Sequence, residues 1–326
     1  MKTTQNTSPT ADAALGAELR APSAVTGVVA IDVGGTDMKT AVLDTAGRLI
    51  DVARAPTPHG DGDADAIIDR LARAVDDARR RHPDLPIGAA GIGIPGLVDD
   101  EQGIARFASN FSWRDFPFRA RAEARTGLPV AFGHDVRAAS LAERQLGAAQ
   151  HVSNAAIVVI GTGIASTLIV DDHVLLSGGF AGELGHTVID PGGAPCPCGG
   201  RGHLEGLASA SAIARRYTAA TAITVAGSRE VLELATNGDA VAARVWADAV
   251  EALALGLGQL VALTAPEAIV IGGGLAQAGD ALFVPLAEAL ERQLSFQRRP
   301  VLLRASLGEN AGLLGTALAA RMLAPQ

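Results

Sequence analysis

Val28-Val29-Ala30-Ile31-Asp32-Val33-Gly34-Gly35-Thr36 has a counterpart 127 residues later, Ala155-Ala156-Ile157-Val158-Val159-Ile160-Gly161-Thr162-Gly163. Each stretch begins with a short, mostly apolar run that is typical of a buried strand, and each ends in a glycine-rich turn. After both turns the pattern predicts two more strands, at residues 40–43 and 48–53 in the first stretch and at 166–170 and 174–176 in the second. A repeated unit of this kind indicates two related domains that arose by duplication, each with a glycine turn facing a shared cleft.

Helices and strands alternate outside the repeated units. The spacing of apolar residues predicts further helices at residues 64–80, 137–146, 239–263, 281–293 and 312–322, and further strands at 87–94, 129–132 and 268–271. This alternation predicts an α/β fold.

Composition excludes several classes of protein. The chain has 326 residues, enough for one large or two medium domains, and 48% are hydrophobic against 19% charged, so most of it can pack. No apolar run approaches the roughly 20 residues of a transmembrane helix, so we expect no membrane partner. The formal net charge is 27 − 35 = −8 without a concentrated basic face, which argues against nucleic acid as a partner.

The string Gly91-Ile92-Gly93-Ile94-Pro95-Gly96 matches the G-x-G-x-x-G dinucleotide motif, which raises the hypothesis of an NAD enzyme. That motif requires a helix to begin inside the glycines. Residues 97–103 read instead as a strand end and a turn, so we disfavour this interpretation.

The turns at residues 34–36 and 161–163 favour phosphate binding, because backbone without side chains can approach an anion and a Thr hydroxyl can donate to it. Two such turns across a cleft would clamp a polyphosphate, although hairpins also need glycine for purely structural reasons. Beside the first turn, Asp32 could supply a carboxylate for magnesium and Lys39 a cation for phosphate. Lys39 could also be only a surface charge.

Asp135 follows a predicted strand at the entry to a predicted helix. One interpretation is a helix N-cap, a position that Asp often occupies. The other is a general base that accepts a proton from a substrate hydroxyl as this hydroxyl attacks phosphorus.

Cys196 and Cys198 are the only cysteines, and with His186 and His203 they lie within 18 residues of glycine- and proline-rich sequence. Two cysteines one residue apart form a poor disulfide, because it closes almost no loop and strains the bridge. Four soft or borderline ligands suit a tetrahedral zinc ion, which with no open position would be structural. The alternative is a pair of free thiols and two surface histidines.

Together these residues resemble the ROK family of sugar kinases, part of the actin and hexokinase-like ATPases, over about residues 28–322. Asp32 to Thr36 resembles the family's first phosphate loop, residues 161–163 its second, and residues 272–274 its adenosine-side turn. The resemblance implies nucleotide or phosphate binding by Asp32, Gly34, Gly35, Thr36, Lys39, Gly161, Thr162, Gly163, Gly273 and Gly274. It implies sugar binding by Gly96, Asn110, His134, Asp135, Glu183, His186 and Glu205.

The fold implied is a duplicated ribonuclease H-like, actin- and hexokinase-like arrangement of two domains around a cleft. We expect a smaller domain at residues 26–133, joined by the C-terminal helix at about 312–326, and a larger domain at 134–311 with the zinc-binding loop. Residues 1–25 lack an apolar stretch and are expected to be a disordered tail and not a secretory signal, which favours a cytoplasmic protein.

The resemblance also implies that Asp135 is the catalytic base and that His186 binds zinc through one ring nitrogen and the sugar through the other. Three departures from the family pattern stand out. His134 and Arg137 replace asparagines, His203 replaces the third zinc cysteine, and Ala165 and Ser166 replace glycines after the second turn.

The function expected is ATP-dependent phosphorylation of a hexose, with glucose and its 6-hydroxyl as first choice, in a homodimer or homotetramer that uses Mg²⁺ and a structural Zn²⁺. Alternatives are a kinase of N-acetylglucosamine, N-acetylmannosamine or fructose, and polyphosphate as the donor. A different class is a sugar-responsive ROK regulator without its DNA-binding domain, since about 25 residues before the first strand are too few for a helix-turn-helix module. A non-catalytic sugar-binding relative is a third class.

Overall fold

The computed structural model describes residues 25–108 and 110–325, so all but the last residue of the expected tail lies outside the described residues. The chain divides into two compact units. Unit 1 comprises the described parts of Met1–Gln150, Leu176–Phe180 and Ser306–Gln326, and unit 2 comprises His151–Leu175 and Ala181–Ala305.

Unit 1 is built on a five-stranded sheet of order β3-β2-β1-β4-β8. Its strands are β1 (Gly27–Val33), β2 (Asp37–Leu43), β3 (Leu49–Pro56), β4 (Ile87–Ile94) and β8 (Val130–His134). β2 runs antiparallel to both β1 and β3, whereas β1, β4 and β8 are parallel. A small second sheet follows, with β5 (Leu97–Asp99), β6 (Ile104–Phe107) and β7 (Arg114–Phe116).

In the described part of unit 1 the α-helices are α1 (Asp63–Arg81), α2 (Phe118–Thr126), α3 (Asp135–Leu146) and α9 (Ala311–Leu323). The apolar residues of α1 recur at helical spacing, and Ile67, Leu71 and Val75 are buried against one face of the sheet. The buried leucines and alanines of α9 form a separate core with β1, β2 and β4.

Unit 2 repeats the sheet of unit 1, with order β11-β10-β9-β12-β13. Its strands are β9 (Ala155–Ile160), β10 (Ile164–Val170), β11 (His173–Val174), β12 (Ala268–Gly272) and β13 (Val301–Arg304). β10 is antiparallel to β9 and β11, and β12 is parallel to β9 and β13, as in the first sheet. The predicted repeat is therefore present as two sheets of the same topology.

The helices of unit 2 are α4 (Leu204–Ala208), α5 (Ala210–Thr221), α6 (Ser228–Thr236), α7 (Ala240–Thr264) and α8 (Asp280–Gln293). Asp239 caps α7, because its side chain accepts hydrogen bonds from the backbone of Val241 and Ala242. By length and composition α7 could cross a membrane, contrary to the expectation that no apolar run is long enough. Because 67% of its apolar window is buried inside the protein, we interpret it as the core helix of unit 2.

The division into units falls near residue 150 and not at residue 133 as expected, so α3 belongs to unit 1. The reason is the close crossing of α3 and α9, in which a Cβ on Gly315 would overlap the backbone oxygen of Ala138. Buried Glu143 of α3 also accepts a hydrogen bond from Leu307 N at 2.8 Å. Asp135 therefore lies in the same unit as the first glycine turn.

The third strand of the second repeat is shorter than the expected residues 174–176 and ends at Val174. The segment Leu176–Phe180 leaves unit 2 and packs on β5 of unit 1. There a Cβ on Gly179 would overlap the backbone oxygen of Val98, so only glycine fits.

Candidate active site

Two carboxylates lie at one edge of the unit 1 sheet. Asp32 is the penultimate residue of β1 and Asp135 directly follows β8, and parallel strands bring such ends to the same edge. Gly93 of β4 lies between them, and a Cβ there would be 3.6 Å from Asp32 Oδ1 and 3.7 Å from Asp135 Cα. No side chain of β4 therefore separates the two acids at this point.

The surroundings raise the pKa of both acids above the ordinary value of an aspartate. Burial, and after it the charge of Asp32, raises the pKa of Asp135 to about 7. Burial likewise raises the pKa of Asp32 to about 6, although the charge of Lys39 opposes this shift. A carboxylate with a pKa near neutrality is well matched to accept a proton at neutral pH.

His134, and not Asp135, holds the N-cap position of α3, so the interpretation of Asp135 as the cap is wrong. The Val136 N–H lies 3.1 Å from His134 Nδ1 and 2.7 Å from Asp135 Oδ1. Burial and the charge of Arg137 lower the pKa of His134 to about 3, so its ring is neutral and can accept this hydrogen bond. Asp135 thus opens the helix with 28% of its side chain exposed.

Arg137 forms a bidentate ion pair with Asp100, with Nε 2.8 Å from Oδ2 and Nη2 2.9 Å from Oδ1. Its Nη2 also donates to the carbonyl of Val98 at 2.7 Å. Arg137, which replaces a family asparagine, therefore links α3 to β5 and to the turn after β5. The sequence offered no signal for Asp100, because the ion pair joins residues 37 positions apart.

The first glycine turn is anchored on one side and open on the other. Thr57 Oγ1 donates to the carbonyl of Gly34 at 2.7 Å, and Thr57 N donates to the carbonyl of Thr36 at 2.8 Å. A Cβ on Gly35 would have no described atom within 4 Å. A ligand could therefore approach Gly35 from the side on which a Cβ would lie without meeting a side chain.

Lys39 is Asp32's cross-strand neighbour on β2, and only 13% of its side chain is exposed. Its ammonium donates to the backbone oxygen of Glu309 and lies 3.3 Å from Glu309 Oε2. Arg54 Nη2 is 3.0 Å from Glu309 Oε1. Lys39 is therefore a partly buried, paired cation and not the simple surface charge that was the alternative.

Two of the residues expected at the sugar flank strands of the small sheet, with Gly96 directly before β5 and Asn110 in the loop between β6 and β7. Gly96 has φ +100°, and a Cβ there would overlap the carbonyl of Phe107 and approach Ala108 Cβ at 2.6 Å. Asn110 is exposed, whereas Trp113 is 3% exposed and stacks on Phe111 with ring centroids 4.1 Å apart. In this loop Asn110 is thus exposed, whereas Trp113, three residues later, is buried.

The dinucleotide motif has no structural counterpart. Gly91 and Gly93 lie inside β4, and β5 follows Gly96 directly, so no helix begins among these glycines. Their lack of side chains serves packing, because a Cβ on either would come within 3 Å of Thr316 on α9.

The second glycine turn joins β9 to β10 in unit 2. Glu205 Oε2 accepts a hydrogen bond from Ile164 N at 2.8 Å and would lie 2.5 Å from a Cβ on Gly163. Ser211 Oγ donates to the carbonyl of Thr162 at 2.6 Å. Glu205, expected at the sugar, therefore contacts the backbone of the turn expected at the phosphates.

The glycine turn after β12 lies beside the second turn. Gly273 has φ +81°, and a Cβ there would overlap the backbone of Ile160, the last residue of β9. Gly274 begins a short 3₁₀ turn, and a Cβ on it would meet no described atom within 4 Å. Gly161 and Gly273 are thus neighbours in unit 2.

The four expected zinc ligands converge, with one ligand atom from each within 4.8 Å of the others: His186, Cys196, Cys198 and His203. The two histidine Nδ1 atoms are 3.4 Å apart, Cys198 Sγ is 3.4 Å from His203 Nδ1, and Cys196 Sγ is 3.9 Å from His186 Nδ1. Tetrahedral zinc with ordinary bond lengths would separate two nitrogens by about 3.4 Å and a nitrogen from a sulfur by about 3.6 Å. The donor set and its spacing therefore fit a zinc ion.

Two features of the loop support this fit. A Cβ on Gly200 would lie 2.6 Å from His203 Cε1, so the backbone leaves room for the ring only because residue 200 is glycine. His186 directs Nδ1 to the cluster, and its Nε2 lies 3.9 Å from Glu183 Oε2. One ring nitrogen thus faces the two cysteines and His203, and the other faces the acid expected at the sugar.

The structure distributes the expected site residues over both units. Unit 1 contains Asp32, Gly34, Gly35, Thr36, Lys39, Gly96, Asn110, His134 and Asp135. Unit 2 contains Gly161, Thr162, Gly163, Glu183, His186, Cys196, Cys198, His203, Glu205, Gly273 and Gly274. Many of these residues lie at or just after the carboxyl ends of β1, β4, β8, β9 and β12, whereas Lys39 lies on β2, Asn110 on the loop between β6 and β7, and Glu205 on α4.

The chain is similar to a known protein family and to solved structures over most of its length. The sequence profile of the ROK family matches residues 28–322. A glucokinase of Halalkalibacterium halodurans is 36% identical over 309 residues, which are 88% of this chain and 92% of that protein. A ROK hexokinase structure from Thermus thermophilus is 37% identical with a TM-score of 0.78 and covers 91% of this chain and 98% of its own. A ROK family glucokinase structure from Streptomyces griseus, in complex with glucose and AMPPNP, is 30% identical with a TM-score of 0.76 and covers 91% and 99%.

Proposed function

The chain belongs to the ROK family, and on that premise we propose that it is a glucokinase that transfers the γ-phosphoryl group of ATP to the 6-hydroxyl of glucose. The observation that carries this proposal is the pair of partly buried acids, Asp32 and Asp135, at one edge of the unit 1 sheet beside the first glycine turn, and the raised pKa of Asp135, about 7, supports it. A repressor or a sugar-binding relative has no need of a carboxyl group held at that pKa, since it moves no proton.

In the proposed reaction Asp135 accepts the proton of the 6-hydroxyl, and the hydroxyl oxygen forms a bond to the γ-phosphorus. The bond from that phosphorus to the β,γ-bridging oxygen breaks, and ADP leaves with the electron pair. Asp135 then holds the proton until solvent takes it. The neutral ring of His134 and the Val136 N–H fix the carboxyl group for this step.

Asp32 fits a role toward Mg²⁺, because a carboxylate at the end of β1 lies beside the glycine turn proposed to hold phosphate. When bound, Mg²⁺ neutralises charge on the phosphoryl oxygens. We assign the phosphate contacts to the backbone at Gly34, Gly35 and Thr36 and, in unit 2, to Gly161, Thr162 and Gly163. We assign the adenosine side to Gly273 and Gly274.

We assign the sugar hydroxyls to Asn110, Glu183, His186 and Glu205, with Gly96 and His134 shaping the same side. His186 would serve twice, since its Nδ1 faces the cysteine cluster and its Nε2 faces Glu183. A zinc ion bound there supplies a fixed ring orientation and a folded loop. We further propose a cytoplasmic enzyme that assembles as a homodimer or homotetramer.

The primary test replaces Asp135 with Asn, which keeps the size of the side chain and removes the base. We expect a fall in kcat of about 10³-fold, in the range that general bases contribute, with glucose binding within a few-fold of the parent. A coupled assay of ADP release with glucose, mannose, fructose, N-acetylglucosamine and N-acetylmannosamine, each with ATP or polyphosphate, identifies the substrates. Full turnover in Asp135→Asn would refute the role of this residue.

The zinc site has its own test, which does not depend on activity. Pure protein should contain about one zinc per chain. Gly200→Ala should lower the zinc content, because the added methyl group meets the His203 ring. Gly192→Ala is the matched control on the same loop, since its Cβ would meet no described atom closer than 3.6 Å. Equal zinc contents in both variants, or none in the parent, would contradict the assignment.

A further inference from the structure

The loop of residues 57–63, here called the bridging loop, contacts both the first glycine turn and the segment at residues 110–113. Thr57 anchors the turn through hydrogen bonds to the carbonyls of Gly34 and Thr36. At the other end of the loop, Asp63 accepts hydrogen bonds from Ser112 N at 2.8 Å and from Ser112 Oγ at 2.7 Å. One short loop therefore holds two segments that the proposed function assigns to different substrates.

His59 connects the two segments through a single side chain. Its Nε2 lies 3.0 Å from the carbonyl oxygen of Gly35, and its Nδ1 lies 3.2 Å from the carbonyl oxygen of Asn110. Both partners are acceptors, so a neutral ring can donate to one of them and an imidazolium can donate to both. In either form the ring spans the distance between the turn and the segment.

The ring of His59 also begins an aromatic stack. It lies 5.1 Å from Phe111 at an interplanar angle of 28°, and Phe111 lies 4.1 Å from Trp113 at 15°. Trp113 is buried in the core of unit 1. A shift of the His59 ring would therefore be transmitted through Phe111 to Trp113 and the residues packed around it. The contacts of His59 are thus both directional and apolar.

We propose that His59 is a positioning residue that couples the first phosphate turn to the sugar-binding segment, so that a nucleotide at the turn favours binding of sugar at the segment. The proposal rests on the proposed function for the assignment of these two segments. A ligand that fixes Gly35 fixes the acceptor on Nε2, and the ring then fixes the carbonyl of Asn110 on Nδ1. By thermodynamic linkage the effect is reciprocal, so sugar strengthens nucleotide binding by the same factor.

The test uses Trp113 as the reporter of the sugar-binding segment. The chain has two tryptophans, and Trp246 lies in unit 2, so Trp246→Phe gives a parent protein with Trp113 alone. In this parent we compare His59→Leu, which keeps an apolar contact with Phe111, and His59→Gln, whose amide can still donate. The probes are Mg²⁺ with AMPPNP, and glucose.

In the parent we expect AMPPNP alone to change the Trp113 emission, and to tighten glucose binding by about fivefold or more, the lower end of usual coupling. His59→Leu should abolish the emission change and bring the ratio of glucose Kd values without and with AMPPNP to about 1. His59→Gln should restore part of both effects. His173→Leu is the matched control, an exposed histidine of unit 2 whose Nδ1 lies 2.6 Å from the carbonyl oxygen of Asp171.

Coupling in His59→Leu equal to that in the parent would overturn the proposal, and so would a parent without coupling. A thermal midpoint shared by the Leu and Gln variants, with coupling only in the Gln variant, would support positioning and exclude a loss of fold. The outcome is separable from the proposed function. A parent that binds AMPPNP and phosphorylates no hexose refutes the kinase, yet its Trp113 response still tests the link through His59.

Discussion

The two glycine turns share one backbone plan and differ in the chemistry beside them. In unit 1, Asp32 and Lys39 are cross-strand partners next to the turn, whereas the corresponding pair in unit 2 is Val159 and Ala165. Both sheets have the same strand order and direction. The repeated fold therefore supplies a glycine turn twice, and only the first copy has a charged pair of residues beside it.

The supports of the two turns also differ. Thr57 of the bridging loop holds the first turn through its carbonyls and leaves the space above Gly35 open. Glu205 lies against the second turn and accepts the N–H of Ile164, which follows Gly163. The first turn is thus held by a threonine that bonds its carbonyls, and the second by a carboxylate that lies against its backbone.

We expect the largest loss of activity among these variants in Asp32→Val, which gives the first hairpin the residue that the second hairpin has at the corresponding position. We expect kcat to fall by about 10²-fold or more, because the carboxylate proposed for Mg²⁺ is removed. The thermal midpoint should stay level or rise, since an apolar side chain replaces a partly buried carboxyl group. The coupled assay and a thermal melt measure these effects.

Asp37→Val is the matched control for Asp32→Val, because Asp37 is an exposed carboxylate on the same hairpin. It should retain turnover close to that of the parent. If Asp32→Val kept more than about a tenth of the parent's kcat, the charged pair would not be what separates the two turns.

A second pair of variants tests whether the two turns are held by their neighbours in different ways. Gly35→Ala places a methyl group where no described atom lies within 4 Å, so the thermal midpoint should not change, while the KM for ATP should rise about tenfold. Gly163→Ala must displace the Glu205 carboxylate and its hydrogen bond to Ile164. It should lower the thermal midpoint by a few degrees and raise the KM for glucose.

The two alanine variants are read together. A thermal midpoint that changes in Gly163→Ala alone would confirm that the two turns are supported differently. Equal midpoints, or a glucose KM that moves only in Gly35→Ala, would show that the second turn is not supported by Glu205.

The strands and the clustering of two cysteines with two histidines could be predicted from the sequence because their signals are local. The buried strands appear as continuous apolar runs, and Cys196, Cys198 and His203 lie within eight residues of glycine-rich chain. The ligand spacing alone therefore suggested a cluster, and the side chains converge as expected.

The unit boundary and the links around the site could not be predicted, because they depend on contacts between distant residues. Gly315 meets Ala138 and Glu143 meets Leu307 across more than 160 positions, and neither pair has a periodic or compositional signature. His59 gave no signal either, as a lone histidine in a loop of proline, glycine and aspartate. Its partners are identified only once the chain is folded.

The smallest expected effect concerns stability and the raised pKa of Asp135. In the unfolded chain an Asp has a pKa of about 3.9, whereas here the pKa is about 7. Between these values the folded state binds the extra proton, so the contribution of Asp135 to stability is present at low pH and is lost as the pH rises through about 7. Asn at this position does not titrate. Asp135→Asn should therefore melt a few degrees above the parent at pH 8, and this difference should shrink towards pH 4. Thermal melts of both proteins across this range measure it, and a difference that stays constant or grows towards low pH would contradict the raised pKa on which the proposed base depends.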